Sequence, residues 1–291
     1  MGELFALACA LFWSFAVILF RKSGDSIPPL ALNLFRVGLT SVLFLLTMWV
    51  QGIPLLGQAP ARDYWVLMAS GVIAIAISDT LFHMSLNRVG AGINAIVDSM
   101  YSPSVVFFAY LLLGETISFW QFVGMVIMIL SIIIATQVKA PKGTSHRTLV
   151  YGVILGVGAM CFLGFGIVLA KGVLEEANVL WATTIRQLGS LAVLVPAALI
   201  HPDRRRLWRV FVPNRSWRYS VPGTLLGSYF ALIFWIAGMK YISAGRCAIL
   251  NQTSTIYLLI LASWLLKEPF GYRRATAALL AIGGALLVIS L

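Results

Sequence analysis

The chain has 291 residues, of which 60% are hydrophobic and only 11% charged, with 21 Lys and Arg against 10 Asp and Glu. Soluble domains average about 45–50% apolar and about 25% charged residues, so a soluble globular domain is excluded. The net charge of +11 does not imply nucleic acid, because the basic residues flank apolar runs, where they act as topology signals near lipid headgroups.

A bilayer core about 30 Å thick needs about 20 apolar residues at roughly 1.5 Å each. Runs of that kind predict an all-α membrane protein of ten transmembrane helices, at 3–21, 28–50, 64–87, 91–113, 118–138, 149–171, 179–200, 218–241, 244–266 and 272–291. The first run opens with Glu3 rather than Lys or Arg and lacks an A-x-A cleavage pattern, so it reads as a retained helix and not a signal peptide. Breakers separate the runs: Pro28-Pro29, Gly52 with Pro54, Gly90 to Gly92, Pro141, Pro202 with Pro213, and Gly271. Cys9, Cys161 and Cys247 lie in separate apolar runs with no CxxC spacing, and His83, His146 and His201 are scattered. Neither a disulfide framework, a metal centre nor a cofactor is expected.

The chain is written twice. Residues 91–115 align without a gap on 244–268, with eight identities in twenty-five pairs at a constant offset of 153. An offset of 150 pairs Gly2, Phe12, Phe15, Leu19 and Arg36 with Gly152, Phe162, Phe165, Leu169 and Arg186. The division is therefore a five-helix repeat at 1–138, a linker at 139–148 and a second repeat at 149–291. An odd number of spans per repeat makes the second enter from the opposite side, so the repeats are inverted. Loops after helices 1, 3, 5, 7 and 9 hold fifteen Lys or Arg against four on the other face. The positive-inside rule then makes the RRRLWRVFVPNRSWR side cytoplasmic and puts both termini outside.

Of the ten carboxylates only Asp79 and Asp98 sit deep in a span, where a charge requires a cavity or a partner. In helix 4, Asn94, Asp98 and Tyr101 form a stripe at i, i+4 and i+7, and the offset maps it onto Cys247, Asn251 and Ser254 of helix 9. The two stripes are expected to face each other as a substrate site, with Ser99 and Gln252 at its edge. The alternative is interhelical hydrogen bonding without a ligand. Asp79 and His83, at i and i+4 in helix 3, are candidates for proton coupling alongside Asp98, or else a hydrogen-bonded pair fixing helix 3 on helix 4. Their equivalents are Leu232 and Ile236. Trp13, Tyr229 and Trp235 are candidate substrate contacts at mid-span, with packing as the alternative. Pro103 is expected to kink helix 4 beside the stripe. Inverted topology puts Arg36 at the face of Glu268 and Arg186 at that of Glu115, which predicts two cross-repeat gates; snorkelling to headgroups is the competing reading for the arginines.

The helix-4 and helix-9 segments LNRVGAGINAIVDSMYSPSVVFFAYLLLGE and MKYISAGRCAILNQTSTIYLLILASWLLKE, with Arg36 and Arg186, resemble the drug/metabolite transporter superfamily and its EamA-type members over the whole chain. The resemblance implies a secondary transporter working by alternating access, with a central cavity lined by helices 1, 3, 4, 6, 8 and 9. It also implies cytoplasmic termini, against the charge count. That family moves amino acids, sugars, nucleosides, nucleotide sugars and drugs. The small multidrug branch uses a mid-helix glutamate in helix 1, where this chain has only the terminal Glu3. The leading expectation is export of small metabolites, amino acids with the aromatic ones included, from a bacterial inner membrane. A proton-coupled exporter of lipophilic cations is the alternative. An intramembrane enzyme is not expected, since no HExxH, GxSxG or paired Asp motif appears; a non-transporting scaffold is the remaining class. Expected partners are the small-molecule substrate, protons and the lipid bilayer, with no nucleic acid, in a monomer or weak dimer.

Overall fold

The computed structural model describes residues 1–137, 145–241, 250–251, 253–269 and 271–290. Among the described residues every regular element is helical. The chain runs through α1 (Gly2–Ser23), α2 (Pro29–Val50) and a 29-residue rod, Ala61–Val89. That rod is α3 (Ala61–Gly71), a π-helical segment Val72–Ile77, and α4 (Ser78–Val89). Next come α5 (Ala91–Asp98), α6 (Tyr101–Leu113), α7 (Phe119–Thr136), α8 (His146–Glu176) and α9 (Val179–Ile200). A short α10 (Arg204–Trp208) leads to α11 (Trp217–Thr224), a second π-helical segment Leu225–Phe230, and α12 (Ala231–Tyr241). The last two helices are α13 (Thr253–Leu265) and α14 (Tyr272–Ser290).

Seven of these stretches are long and apolar enough to cross a membrane: α1, α2, Ala61–Val89, Ala91–Leu113, α7, α8 and α9. Helix ends are closed by local chemistry, as a lipid setting demands of backbone groups. Pro29 opens α2 at a position whose N–H has no helical partner. Ser118 and Gln121 form a reciprocal capping box on α7, and the Asn178 side chain accepts from the amides of Leu180 and Trp181 at the start of α9. The basic connection 201–217 holds α10, and Leu207 and Val210 recur at helical spacing and bury. The Trp217 indole N–H then donates to the Val210 carbonyl at 2.8 Å.

Packing has a definite pattern. Helix α1 lies along the α11–α12 rod and against α13, while α8 lies along the α3–α4 rod and against α6. Helix α2 packs on α9, α5 on α13, and α7 on α14. Helix 4 is interrupted at Ser99–Met100. Pro103 has no N–H to give to the Ser99 carbonyl, and its ring crowds that carbonyl. The chain instead bends through short-range bonds, Ser99 N–H to Ile96 at 3.3 Å and Met100 N–H to Val97 at 3.0 Å. Asp98 ends the first piece and Tyr101 begins the second.

Candidate functional site

The polar centre begins at Arg36, which is buried at 7% exposure on α2. Its guanidinium donates to the Asp79 carboxylate, to Asn33 Oδ1 one helical turn away at 3.1 Å, and to Ser228 Oγ at 3.1 Å. Asn33 turns its amide nitrogen to the carbonyls of Ile75 and Ala76, at 2.9 and 3.3 Å, and to Thr80 Oγ1 at 3.0 Å. Those carbonyls belong to the π-helical segment, where widened turns loosen the normal backbone pairing. Asp79 is the second residue after that segment, and Ser228 lies inside the second one. Asn33, Ser228 and both π-helical segments escaped the sequence reading. Asn33 carried a signal, a lone amide at i−3 from Arg36 in an apolar run.

Asp79 is therefore not bonded to His83, so the alternative of a hydrogen-bonded pair is not met in this structure. A charge-assisted bond to a guanidinium outcompetes one to a neutral imidazole. His83 is buried between the rings of Phe20 and Phe82, with centroids 5.2 and 5.4 Å away, and neither ring nitrogen has a hydrogen-bond partner among the described residues.

On the helix-4 stripe, Asn94 donates to Asp98 Oδ1 at 3.1 Å, which fixes its amide nitrogen toward the carboxylate and leaves its buried oxygen unpaired among the described residues. Asn251 Oδ1 is likewise buried and unpaired among them. Ser254 is half-buried and gives its carbonyl to Ser14 Oγ at 3.1 Å, tying α13 to α1. Ser99 turns back to the Ile96 carbonyl at 2.6 Å. Cys247 and Gln252 lie outside the described residues. Asp98 stays partly accessible, has no cation bonded to it among the described residues, and lies within electrostatic reach of Asp79.

Neither arginine is paired with its proposed gate glutamate in this structure. Arg36 takes Asp79, and Glu268 takes Arg274 Nη1 at 3.3 Å together with the amides of Ala91 and Gly92, at 2.7 and 3.0 Å. Glu115 pairs with Lys171 at 2.6 Å, and Arg186 donates from Nε to Ser70 Oγ at 3.1 Å. The partners of both arginines here come from the Ala61–Val89 rod, Asp79 for Arg36 and Ser70 for Arg186. Tyr101 and Asp79 lie within electrostatic reach of Arg186.

The aromatic candidates divide. Trp13 is half-buried, 6.0 Å from the Phe82 ring. Tyr229 sits on Phe44 at 5.2 Å with its hydroxyl 2.6 Å from Thr47 Oγ1, so its polar end is held by α2. Trp235 is half-buried on α12. At the basic end a pocket of about 360 Å³ is lined by Arg206, His201, Met84 and Thr80 among others. Among the described residues no group of three or more His, Cys, Asp or Glu side chains gathers as a metal site would require.

The EamA-like transporter family model matches residues 1–137 and 150–290. Similar curated proteins include the uncharacterized transporter YetK of Bacillus subtilis, 21% identical over 295 residues covering 99% of this chain and 87% of that protein. An uncharacterized transporter of Archaeoglobus fulgidus is 19% identical over 288 residues, 96% of this chain and 95% of its own. Another, from Methanothermobacter thermautotrophicus, is 21% identical over 236 residues, covering 80% and 67%. A solved crystal structure 15% identical in sequence covers 98% of this chain and 94% of its own with a TM-score of 0.67, a likeness of fold.

Proposed function

The chain belongs to the EamA-like transporter family, so it is a multi-pass membrane transporter and not an enzyme, and we propose that it exports small metabolites, amino acids with the aromatic ones included, by alternating access between two inverted five-helix repeats. Ten spans, five to a repeat, supply the frame. Support for the repeats comes from the helix packing, because exchanging halves turns α1 on the α11–α12 rod into α8 on the α3–α4 rod, and α1 on α13 into α8 on α6. The π-helical segments Val72–Ile77 and Leu225–Phe230 are also 153 residues apart. Two close crossings match too. A Cβ on Gly166 would meet Ala74 at 2.8 Å, and one on Gly227 would meet Ala16 at 2.6 Å, pairs related by the offsets of 150 and 153.

The observation that carries the substrate reading is the set of unmet acceptors on helices 4 and 9. Asp98 lacks a cation, and the oxygens of Asn94 and Asn251 are buried without donors among the described residues. Buried acceptors of that kind call for donors from a ligand, and an ammonium supplies three. Tyr101 and Ser254 flank them, and Trp13, Tyr229 and Trp235 provide aromatic surface on helices 1 and 8 for an apolar side chain. Protons are the proposed coupling ion, with Asp98, Asp79 and His83 as the titrating candidates. The inner membrane of a bacterium is the proposed location.

Counterflow in proteoliposomes against amino acids, nucleosides and organic cations, with and without a pH gradient, tests the assignment; saturable exchange of none of the amino acids would sink it. Export of lipophilic cations is the second reading, favoured by the same uncompensated Asp98. The two separate on Asp98→Asn. Cation exchange is expected to vanish with that substitution, whereas exchange of a neutral amino acid should weaken by about tenfold and survive, the loss of one charged hydrogen bond.

A further inference from the structure

We propose that Arg186 receives the carboxylate of the substrate, so that the carrier selects amines bearing an acid group over amines without one. The inference rests on the amino-acid reading above and adds the residue that enforces it.

Arg36 and Arg186 occupy equivalent places in the two halves, yet their bonds differ. Arg36 has both Nη nitrogens engaged and its charge met by Asp79. The residue equivalent to Asp79 is Leu232, so the second rod offers Arg186 no carboxylate. Arg186 uses only Nε, to Ser70 Oγ, and Ser70 in turn donates to the Gly166 carbonyl at 2.6 Å. Its two Nη nitrogens make no hydrogen bond among the described residues, and neither is sealed from access.

Three features make that free edge a receptor rather than a leftover charge. The backbone of Arg186 presses on Gly71, where any side chain would strike its carbonyl, so the root of the side chain is fixed. The Nε bond across to α3 holds the guanidinium inside the bundle and forbids snorkelling to headgroups. The remaining pair of Nη donors is the fork that carboxylates accept in bidentate fashion. Asp79 is already committed to Arg36, so Arg186 carries one uncompensated positive charge, which fits a monoanionic carboxylate better than a phosphate dianion. Tyr101, on the same helix as Asp98, stands within electrostatic reach of Arg186, and its hydroxyl has no partner among the described residues.

Counterflow of L-phenylalanine, phenethylamine and 3-phenylpropionate by the wild type, Arg186→Gln and Arg186→Lys tests this. The wild type should exchange phenylalanine and discriminate against phenethylamine by about tenfold or more, the worth of a charged hydrogen-bonded contact. Arg186→Gln should lose phenylalanine exchange by a similar factor while phenethylamine exchange holds or rises. Arg186→Lys should keep the preference for the acid at reduced affinity. Phenylalanine exchange by Arg186→Gln at the wild-type rate overturns the assignment and leaves the amino-acid reading standing. Wild-type exchange of phenylpropionate but not phenylalanine, lost in Arg186→Gln, overturns the amino-acid reading and leaves the assignment standing. Wild-type exchange of phenethylamine alone, or of none of the three, overturns both. If Arg186→Gln fails to elute as a monodisperse species, Arg186→Lys decides: retained acid preference supports the proposal, and lost preference overturns it.

Discussion

Arg36 and Asp79 show how a charge survives inside an apolar bundle. The guanidinium meets one carboxylate, one amide oxygen and one hydroxyl, while its Nε is left buried without a partner among the described residues. Removing one member of such a pair leaves the other as an uncompensated buried charge, which costs about 3–5 kcal/mol. Asp79→Asn should therefore lower the thermal midpoint of the detergent-solubilised protein sharply. The double variant Arg36→Gln with Asp79→Asn should recover most of that loss, and equal destabilisation by single and double variants would contradict the pairing. Asp79 and Asp98 were legible in the sequence because carboxylates in apolar runs stand out. Their partners were not. Arg36 lies 43 residues from Asp79, and no periodicity in a single chain reports a contact between helices. Symmetry likewise predicts which residues are equivalent but not which neighbour each one bonds, as Arg36 with Asp79 and Arg186 with Ser70 show.

At the level of elements, hydropathy marked the first seven expected spans, each of which is an apolar helix long enough to cross a membrane, because bilayer thickness dictates that length. Proline chemistry likewise foretold the interruption of helix 4. The π-helical segments left no comparable trace, since VIAIAI and LLGSYF read as ordinary helix. They matter because each shifts the register of the residues after it, bringing Asp79 round to Arg36 in the first half. Close packing of α3 on α9 sits at the root of the first segment. A Cβ on Gly71 would collide with the Arg186 backbone, whereas one on Gly158 of α8 has nothing within 4 Å. Gly71→Ala is expected to destabilise by about 1–3 kcal/mol through forced separation of the helices, and to lower amino-acid exchange by displacing Arg186. Gly158→Ala should be neutral in both assays. Thermal unfolding and counterflow on the two variants in parallel check this, and equal tolerance of both would remove the argument that α3 positions α9.

The whole molecule is asymmetric where its two halves are most alike. Glu268 and Glu115 are equivalent through the offset of 153, yet Glu268 is sealed and Glu115 is open. Glu268 grips the first two amides of α5 and Arg274, with 11% and 2% of the paired side chains exposed. Gly90 precedes those amides with φ +82°, and a Cβ there would strike the Glu268 carboxylate at 2.6 Å, so only glycine admits the clamp. Glu115 follows the other end of the same helical stretch and holds Lys171 with 49% and 39% of the side chains exposed. An exposed pair contributes about 0–1 kcal/mol, far less than a carboxylate capping two buried amides. The end marked by Glu115 is therefore the easier to open, and the proposed alternating access between inverted repeats would require the two ends to exchange these roles. Cysteines at positions 115 and 171, in a chain lacking its own three, can be bridged by a short bifunctional thiol reagent. Bridging should abolish amino-acid counterflow while leaving substrate binding measurable, and a cleavable bridge should restore transport on reduction. Unimpaired counterflow through the bridged protein would make the Glu115–Lys171 contact a fixed strut and move the opening end elsewhere.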